Sequence, residues 1–162
     1  MADHTFRDLE TAAYCPRKLY YRRRTGPPDV PDDIERIRRL ACEYERLLTD
    51  DAALLSAPIE PEPATVRERL RGARERLDGW DGLADPADTD VYLAGKDARG
   101  IAHKLVAADE GAVPSLVFAG RPPEQGVWEP QSVRLVAAAK ALSWERERPV
   151  DRAFAEYPAY GV

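Results

Sequence analysis

The most basic stretch of the 162-residue sequence combines cationic and aromatic side chains in a pattern suited to nucleic acid. Pro16 sits where a short helix would begin, and the helix running to about Arg23 is predicted to present the following side chains: Arg17, Lys18, Tyr20, Tyr21, Arg22, Arg23 and Arg24. Guanidinium groups bind phosphates in a bidentate manner, and tyrosine rings stack on unpaired bases. The pattern predicts a nucleic-acid-binding surface. The alternative is a solvated helix face whose tyrosines belong to the core.

Residues of metal-binding or nucleophilic type are sparse elsewhere. His103 is a candidate metal ligand, with Glu45 or Asp90 as its partner, although an ordinary strand histidine fits the same pattern. Cys15 and Cys42 are the only cysteines, which is too few for a disulfide framework or for a cluster that needs four thiolates. We therefore expect no bound cofactor.

Composition favours one globular domain over residues 1–162. Apolar residues make up 44% and charged residues 33%, and the net charge is −5. A negative average does not attract a polyanion, but binding needs only a local basic patch. The sequence contains no apolar run of membrane-spanning length and no secretory leader, so we expect a cytoplasmic protein without a membrane partner.

Residues 1–80 are predicted to be mainly helical. The segment Thr5-Phe-Arg-Asp8 has the form of a capping box, and Thr65-Val-Arg-Glu68 predicts a second one. Between these segments, apolar residues spaced by three and four from Ile34 to Leu48 predict one continuous buried helical stripe.

Residues 90–162 are predicted to form a strand–helix core. Short β-rich runs at 91–93, 101–107 and 113–118 predict three consecutive antiparallel strands, because turn residues separate them. A helix over 131–147 and a last strand over 154–157 complete the order. This arrangement predicts an α/β fold with a mixed sheet of about four strands flanked by helices.

Two segments resemble a known family. The strings Phe6-Arg-Asp-Leu-Glu10 and Tyr14-Cys-Pro-Arg-Lys-Leu-Tyr-Tyr21 are similar to the opening of the CRISPR-associated RecB-like exonucleases, the fourth Cas family. Downstream, Gly100-Ile-Ala-His103 and Pro114-Ser-Leu-Val-Phe-Ala-Gly120 stand where that family has Gly-x-x-Asp and Pro-x-Glu-x-Lys-x-Gly. The resemblance implies a PD-(D/E)XK nuclease core acting on DNA.

The resemblance also implies which residues occupy the catalytic positions. In the family, an Asp and a Glu hold Mg²⁺ or Mn²⁺, which activates water, and a lysine assists the attack. Here the Asp position falls on His103, the Glu position on Leu116, the Lys position on Phe118 and a helix glutamine on Arg134. An upstream metal-binding histidine falls near Glu45. Of the cysteines that hold the family's iron–sulfur cluster, only Cys15 has a counterpart, so we expect no cluster.

These replacements favour a divergent protein that has lost catalysis and kept a DNA-binding or scaffolding role in CRISPR adaptation or DNA repair, with DNA and proteins of those systems as partners. One alternative is an active Mg²⁺- or Mn²⁺-dependent DNA exonuclease whose carboxylates have moved, which requires an acidic cluster near His103 drawn from Glu45, Asp90 or Glu129. Another is an interaction protein with no nucleic-acid role. That alternative predicts that the side chains of 17–24 are mostly paired with acids.

Overall fold

The computed structural model describes residues 3–162, so the first two residues of the predicted 1–162 domain lie outside it. The elements, in chain order, are β1 (His4–Thr5), α1 (Phe6–Tyr14), α2 (Pro16–Thr25), α3 (Asp32–Leu40), α4 (Tyr44–Thr49), α5 (Asp51–Ser56), α6 (Pro63–Arg76), α7 (Trp80–Ala84), β2 (Asp88–Ala94), β3 (Ala98–Ala108), β4 (Gly111–Val117), α8 (Glu129–Arg146), β5 (Phe154–Glu156) and a 3₁₀ turn (Pro158–Tyr160).

The first half is helical, as predicted, and local chemistry explains where its helices begin. Thr5 caps α1: its hydroxyl accepts a hydrogen bond from the backbone N–H of Asp8, and the Asp8 carboxylate accepts one from the backbone N–H of Thr5. Pro16 opens α2 at a position where a missing N–H costs nothing. The capping box predicted at Thr5 is thus confirmed.

The sheet is mixed. Strands β2, β3 and β4 are antiparallel neighbours, and the two-residue turn Asp109–Glu110 joins the last two. After β4 the chain passes through α8 and returns as β5, which pairs with β4 in parallel. The short strand β1 pairs in parallel with the start of β3. The sheet therefore has five strands.

Helices cover both faces of the sheet. One buried apolar cluster joins α1 and α8 to the sheet through residues such as Phe6, Leu116 and Leu142. A second cluster joins α3, α4, α6 and α7 around Leu47, Val66 and Trp80. No helix in the described part of the chain is long and apolar enough to cross a membrane.

Three sequence expectations need correction. The sheet has five strands and not about four, because β1 is too short to carry a period-two signal. The stripe over 34–48 is not one helix: the chain turns at 41–43 and separates α3 from α4. Thr65 does not cap a helix, because α6 begins two residues earlier at Pro63.

Candidate site: an arginine-lined cleft at a split in the sheet

The centre of the candidate site lies where β3 and β4 separate. The two strands pair from Ala108↔Gly111 only as far as Lys104↔Ser115. Beyond this point the backbone N–H of Val117 donates a hydrogen bond to Nδ1 of His103, at 2.8 Å. The imidazole therefore replaces a ladder hydrogen bond at the fork between the two strands.

That hydrogen bond fixes the protonation of His103. A backbone N–H can only donate, so Nδ1 must be the unprotonated nitrogen and Nε2 carries the ring proton. Burial, and after it the neighbouring charges of Arg134, Arg38, Arg7 and Lys104, together lower the pKa of His103 to about 3. His103 is thus a neutral hydrogen-bond donor at Nε2.

Arg134 projects from α8 toward this histidine. The residue is 8% exposed. Its Nη1 lies 3.2 Å from a carboxylate oxygen of Glu10, and its guanidinium carbon lies 5.6 Å from the centre of the Phe118 ring. Its Nε is buried without a hydrogen-bond partner. Burial lowers the pKa of Arg134, Glu10 opposes that shift, and Arg7 and Arg38 add to it.

Arg38, in the last turn of α3, is the second cation of the site. Its Nε is also buried without a partner, and within residues 3–162 its guanidinium forms no ion pair. Burial lowers its pKa, Arg7 lowers it further, and Glu35 and Asp90 act in the opposite direction. Arginine stays protonated in proteins, so the site keeps this charge.

Arg7, in the first turn of α1, is the third cation. The start of α1 lies directly on β3, because the ring of Phe6 occupies the space above Gly100. A Cβ at Gly100 would lie 2.4 Å from that ring, so only glycine allows this approach. Phe6 thereby sets the position of Arg7 beside His103.

These side chains line two adjoining cavities. The outer one has a volume of about 580 Å³ and the inner one, which His103 lines, about 670 Å³. Four arginines line both cavities: Arg7, Arg22, Arg38 and Arg134. We refer to the two cavities together as the arginine cleft.

The outer part of the cleft adds aromatic rings to these cations. Tyr14, at the end of α1, and Trp128, just before α8, line it with 71% and 49% of their surfaces exposed. Lys18 also lines this part, and its ammonium lies 5.1 Å from the centre of the Tyr14 ring. The cleft therefore offers both phosphate-binding cations and open aromatic faces.

The predicted basic helix is confirmed as α2, and its side chains take two directions. Arg22 turns inward, where it donates to the hydroxyl of Thr11 at 2.7 Å and lines the cleft. Tyr20 and Tyr21 point outward, 57% and 51% exposed, so they are not core residues.

Few of the α2 cations have acidic partners. In the described part of the chain only Arg22 and Arg23 approach a carboxylate, that of Asp8, at 4.0 and 3.6 Å. Arg17 and Arg24 instead lie over the rings of Tyr21 and Tyr20. This is not the pairing with acids that a role without nucleic acid predicts.

The structure separates the two predicted metal ligands. Glu45 does not line the cleft: it accepts a hydrogen bond from the indole of Trp80 at 2.9 Å and lies 3.7 Å from Arg74. Among the described residues, no group of three His, Cys, Asp or Glu side chains is placed to hold a metal ion. The geometry gives the His103–Glu45 prediction no support.

Of the other acids considered, one is beside His103. The register of β2 with β3 puts Asp90 opposite His103, and Asp90 has the left-handed backbone angle φ of 51°. Asp90 lines the inner cavity, whereas Glu129, the first residue of α8, lines neither. Of Glu45, Asp90 and Glu129, only Asp90 is therefore near His103, and Glu35 of α3 also lines the same cavity.

The other positions named by the family resemblance are apolar and internal. Leu116 is fully buried and Phe118 is 5% exposed, and both belong to the cluster beneath α8. The nearest lysine, Lys104, directs its ammonium to the other face of the sheet, where it is bound to Glu156. Neither position can therefore coordinate a cation or contact a phosphate.

The sequence reasoning missed Arg7 and Arg38. Arg7 lies inside the capping box, and a helix cap is the only role that the sequence predicts for this segment, so no binding role is assigned to Arg7. Arg38 carried a weak signal, since it follows Ile34 by one helical turn and so falls next to the apolar stripe of α3. A charge at the edge of an apolar stripe is common on amphipathic helices, so it does not by itself reveal a cavity. That cavity forms only when β3 and α8 are in place.

The cysteines do not come together. Cys15 is a half-buried thiol at the junction of α1 and α2, and Cys42 is exposed and lines the inner cavity.

Comparison with protein-family models, with curated proteins and with solved structures found no match. The residues of the cleft therefore supply the observations that bear on function.

Proposed function

We propose that this protein binds single-stranded nucleic acid, most simply DNA, in the arginine cleft without cleaving it. The observation that carries the proposal is that five cations, Arg7, Lys18, Arg22, Arg38 and Arg134, line the outer part of the cleft together with the exposed rings of Tyr14 and Trp128. Sites for single strands combine these two features, because the cations bind the backbone and the rings stack on bases.

The overall charge does not oppose this function. The chain has a net charge of −5, and Asp29, Glu35 and Asp90 line the cleft without an ion pair in the described residues, but the cations that line it outnumber them. Glu10 pairs with Arg134, and Asp8 pairs with Arg22 and Arg23. Binding depends on the local potential, which is positive where cations outnumber unpaired acids.

We also propose that the fold is a PD-(D/E)XK nuclease core related to the CRISPR-associated RecB-like exonucleases. Three antiparallel strands, a long helix and a parallel return strand have the order expected for that core. The split between β3 and β4 at His103 falls at the position that the resemblance assigns to the metal-binding Asp. A role in CRISPR adaptation or DNA repair, with proteins of those systems as partners, is part of this proposal.

The absence of cleavage follows from residue chemistry. Leu116 and Phe118 supply no oxygen or nitrogen, and the lone pair on Nδ1 of His103 is engaged by the backbone N–H of Val117. The remaining nitrogen of His103 carries a proton and cannot coordinate a cation. Three guanidinium groups also repel a divalent ion from this position.

An active exonuclease with relocated carboxylates is the second candidate, and one observation favours it. Asp90 lies opposite His103 in a left-handed backbone conformation, and unusual backbone angles occur often at functional sites. An exonuclease predicts that Mn²⁺ or Mg²⁺ stimulates loss of end-labelled DNA, and that Asp90→Asn abolishes it.

The test is a titration of fluorescent single- and double-stranded oligonucleotides, with EDTA in one series and Mn²⁺ in another. We expect single strands to bind without degradation in both series. The logarithm of the affinity should fall with the logarithm of the salt concentration by roughly 0.7 per phosphate contact. Equal or better binding of duplex DNA, or no binding at low salt, would contradict the proposal.

Two tyrosine variants locate the binding surface. Tyr14→Ala should weaken single-strand binding by roughly tenfold, since loss of one stacked base costs about 1–3 kcal/mol. Tyr92→Ala is the matched control, because Tyr92 is 55% exposed on β2 and does not line the cleft. Tyr20→Ala tests the outer face of α2. A larger loss there than for Tyr14→Ala would move the binding surface from the cleft to that face.

A further inference from the structure

The inner end of the arginine cleft holds more positive charge than its protein contacts neutralise. Arg7, Arg38 and Arg134 line the same cavity, and the charge of each lowers the pKa of His103. Arg7 also lowers the pKa of Arg38, and both lower that of Arg134. Only Arg134 makes an ion pair, with Glu10, within the described residues, while Glu35 and Asp90 oppose Arg38 electrostatically from exposed positions. Three cations held together in this way repel one another, and a bound anion would relieve that repulsion.

Two guanidinium groups at this end also have unsatisfied donors. Nε of Arg38 and Nε of Arg134 are both buried and neither has a partner in the protein. A buried donor without a partner costs about 1–3 kcal/mol, and most such donors in native proteins are paired. The Nε atoms themselves are closed to solvent, but both side chains line the two cavities, so an anion there lies beside their guanidinium charges.

His103 adds a neutral donor to the same place. Because the backbone N–H of Val117 binds Nδ1, the ring proton is on Nε2, for which the structure shows no acceptor within residues 3–162. The inner end therefore presents guanidinium and imidazole donors, and Glu35 and Asp90 are the carboxylates that line it.

We infer that the inner end of the arginine cleft is a binding site for a phosphate monoester, the terminal phosphate of a nucleic-acid strand, held by Arg7, Arg38, Arg134 and the Nε2–H of His103. This inference builds on the proposed function: the outer cleft holds the strand and the inner end holds its phosphorylated terminus.

A terminal phosphate fits this donor set better than an internal one. A monoester carries about −1.5 to −2 charges at neutral pH and has three strong acceptor oxygens. An internal diester carries a single charge and has two non-bridging oxygens, fewer than three guanidinium groups and an imidazole N–H can use. The excess of donors and of positive charge at the inner end thus matches the monoester.

The experiment compares strands of one sequence and length that carry a 5′-phosphate, a 3′-phosphate or only hydroxyl ends, all in EDTA. Inorganic phosphate and a nucleoside monophosphate form separate arms, in which binding is read as an increase in thermal unfolding temperature. We expect one of the two phosphorylated strands to bind at least tenfold more tightly than the hydroxyl-ended strand.

Arg38→Met should remove this preference, because Arg38 contributes a cleft-lining charge that no ion pair within the described residues neutralises. His103→Asn is the second variant: its side-chain oxygen can still accept from the N–H of Val117, while the Nε2–H is lost, so the preference should shrink several-fold. Arg76→Met is the matched control, since Arg76 is exposed on α6 outside the cleft. It should keep the preference.

The outcomes separate the two proposals. Equal affinity for all three strands, with binding that still depends on Tyr14, would overturn the monoester site and leave the strand-binding function standing. Stabilisation by nucleoside monophosphate that requires Arg38, without strand binding, would support the monoester site and overturn strand binding. No response in any arm would overturn both.

Discussion

His103 and Lys104 are adjacent on β3, and their side chains point to opposite faces of the sheet. Each belongs to a cluster of charged groups, and the two clusters differ in how fully the protein itself pairs their charges and hydrogen-bonding groups. On the Lys104 side every group is engaged. The ammonium, 1% exposed, donates to the backbone carbonyls of Ala41 and Leu83 and to Glu156. Glu156 accepts further hydrogen bonds from the hydroxyls of Tyr44 and Ser115.

The His103 side is incomplete in comparison. Of its three arginines, only Arg134 forms an ion pair within the described part of the chain, with Glu10. Two arginine Nε atoms are buried without an acceptor, and the imidazole N–H of His103 also has none among the described residues. The Lys104 cluster is fully buried, whereas His103, Arg7 and Arg38 are half-buried beside the buried Arg134. The second difference is whether the protein itself supplies the opposite charges and acceptors.

This difference separates a structural role from a binding role. A buried ion pair whose every hydrogen bond is made has no capacity for a ligand. A cluster of like charges with spare donors raises the free energy of the empty protein, and a ligand of opposite charge lowers it. The comparison therefore predicts opposite responses to substitution on the two sides of one strand.

The largest effect is expected from Lys104→Met. The change leaves the Glu156 carboxylate buried without its cation and two carbonyls without a donor, so the free energy of unfolding should fall by about 3–5 kcal/mol. Urea denaturation measures this loss.

The double variant Lys104→Met with Glu156→Gln provides the control for that prediction. It removes the buried charge as well, so its cost should be well below the sum of the two single changes. Additive costs, or a loss under about 1 kcal/mol for Lys104→Met, would mean that the pair is not buried as described.

An intermediate effect is expected from pH acting on His103. Its pKa of about 3 in the folded protein is below the unfolded value, so the unfolded state binds more protons between these two pH values. Stability should be full above roughly pH 6.5 and should fall as the pH decreases toward 3. Between about pH 7.5 and 5 the loss due to this residue should be about 2 kcal/mol.

His103→Asn isolates that contribution, because the carboxylates titrate in the same way in both proteins. The measurement is urea denaturation of the wild type and the variant at both pH values. The wild type should lose more stability than the variant on acidification, and equal losses would show that His103 is not held in its neutral form.

The smallest effect is expected from Arg38→Met, and its sign is informative. Removing one of three neighbouring cations should leave the free energy of unfolding unchanged or raise it by up to about 1 kcal/mol. The gain should diminish in high salt, which screens the repulsion.

Arg67→Met is the matched control in the same assay. Arg67 also has a buried nitrogen without a partner, but it forms an ion pair with Asp51 at 2.6 Å and lies outside the cleft. It should lose stability. If Arg38→Met lowered the free energy of unfolding more than Arg67→Met, this result would contradict the view that repulsion among the cleft arginines destabilises the empty protein.

Local signals predicted most of the elements of this fold. The capping box at Thr5, the proline at the start of α2 and the turn at Asp109–Glu110 act over a few residues, so the sequence reveals them directly. The exceptions have local causes as well. The strand β1 is two residues long, and the break at 41–43 interrupts an apolar rhythm that continues on both sides of it.

By itself, the sequence determined an α/β chain with a basic, aromatic helix, and with Leu116 and Phe118 at the positions where the family it resembles has Glu and Lys. Only the tertiary structure decided where the positive charge gathers. Arg7, Arg38 and Arg134 come from three helices far apart in the chain, and they meet because α1, α3 and α8 pack around the fork between β3 and β4. Periodicity identifies which side of a helix is buried but not which helices share a cavity, and the long-range contacts of the fold decide that.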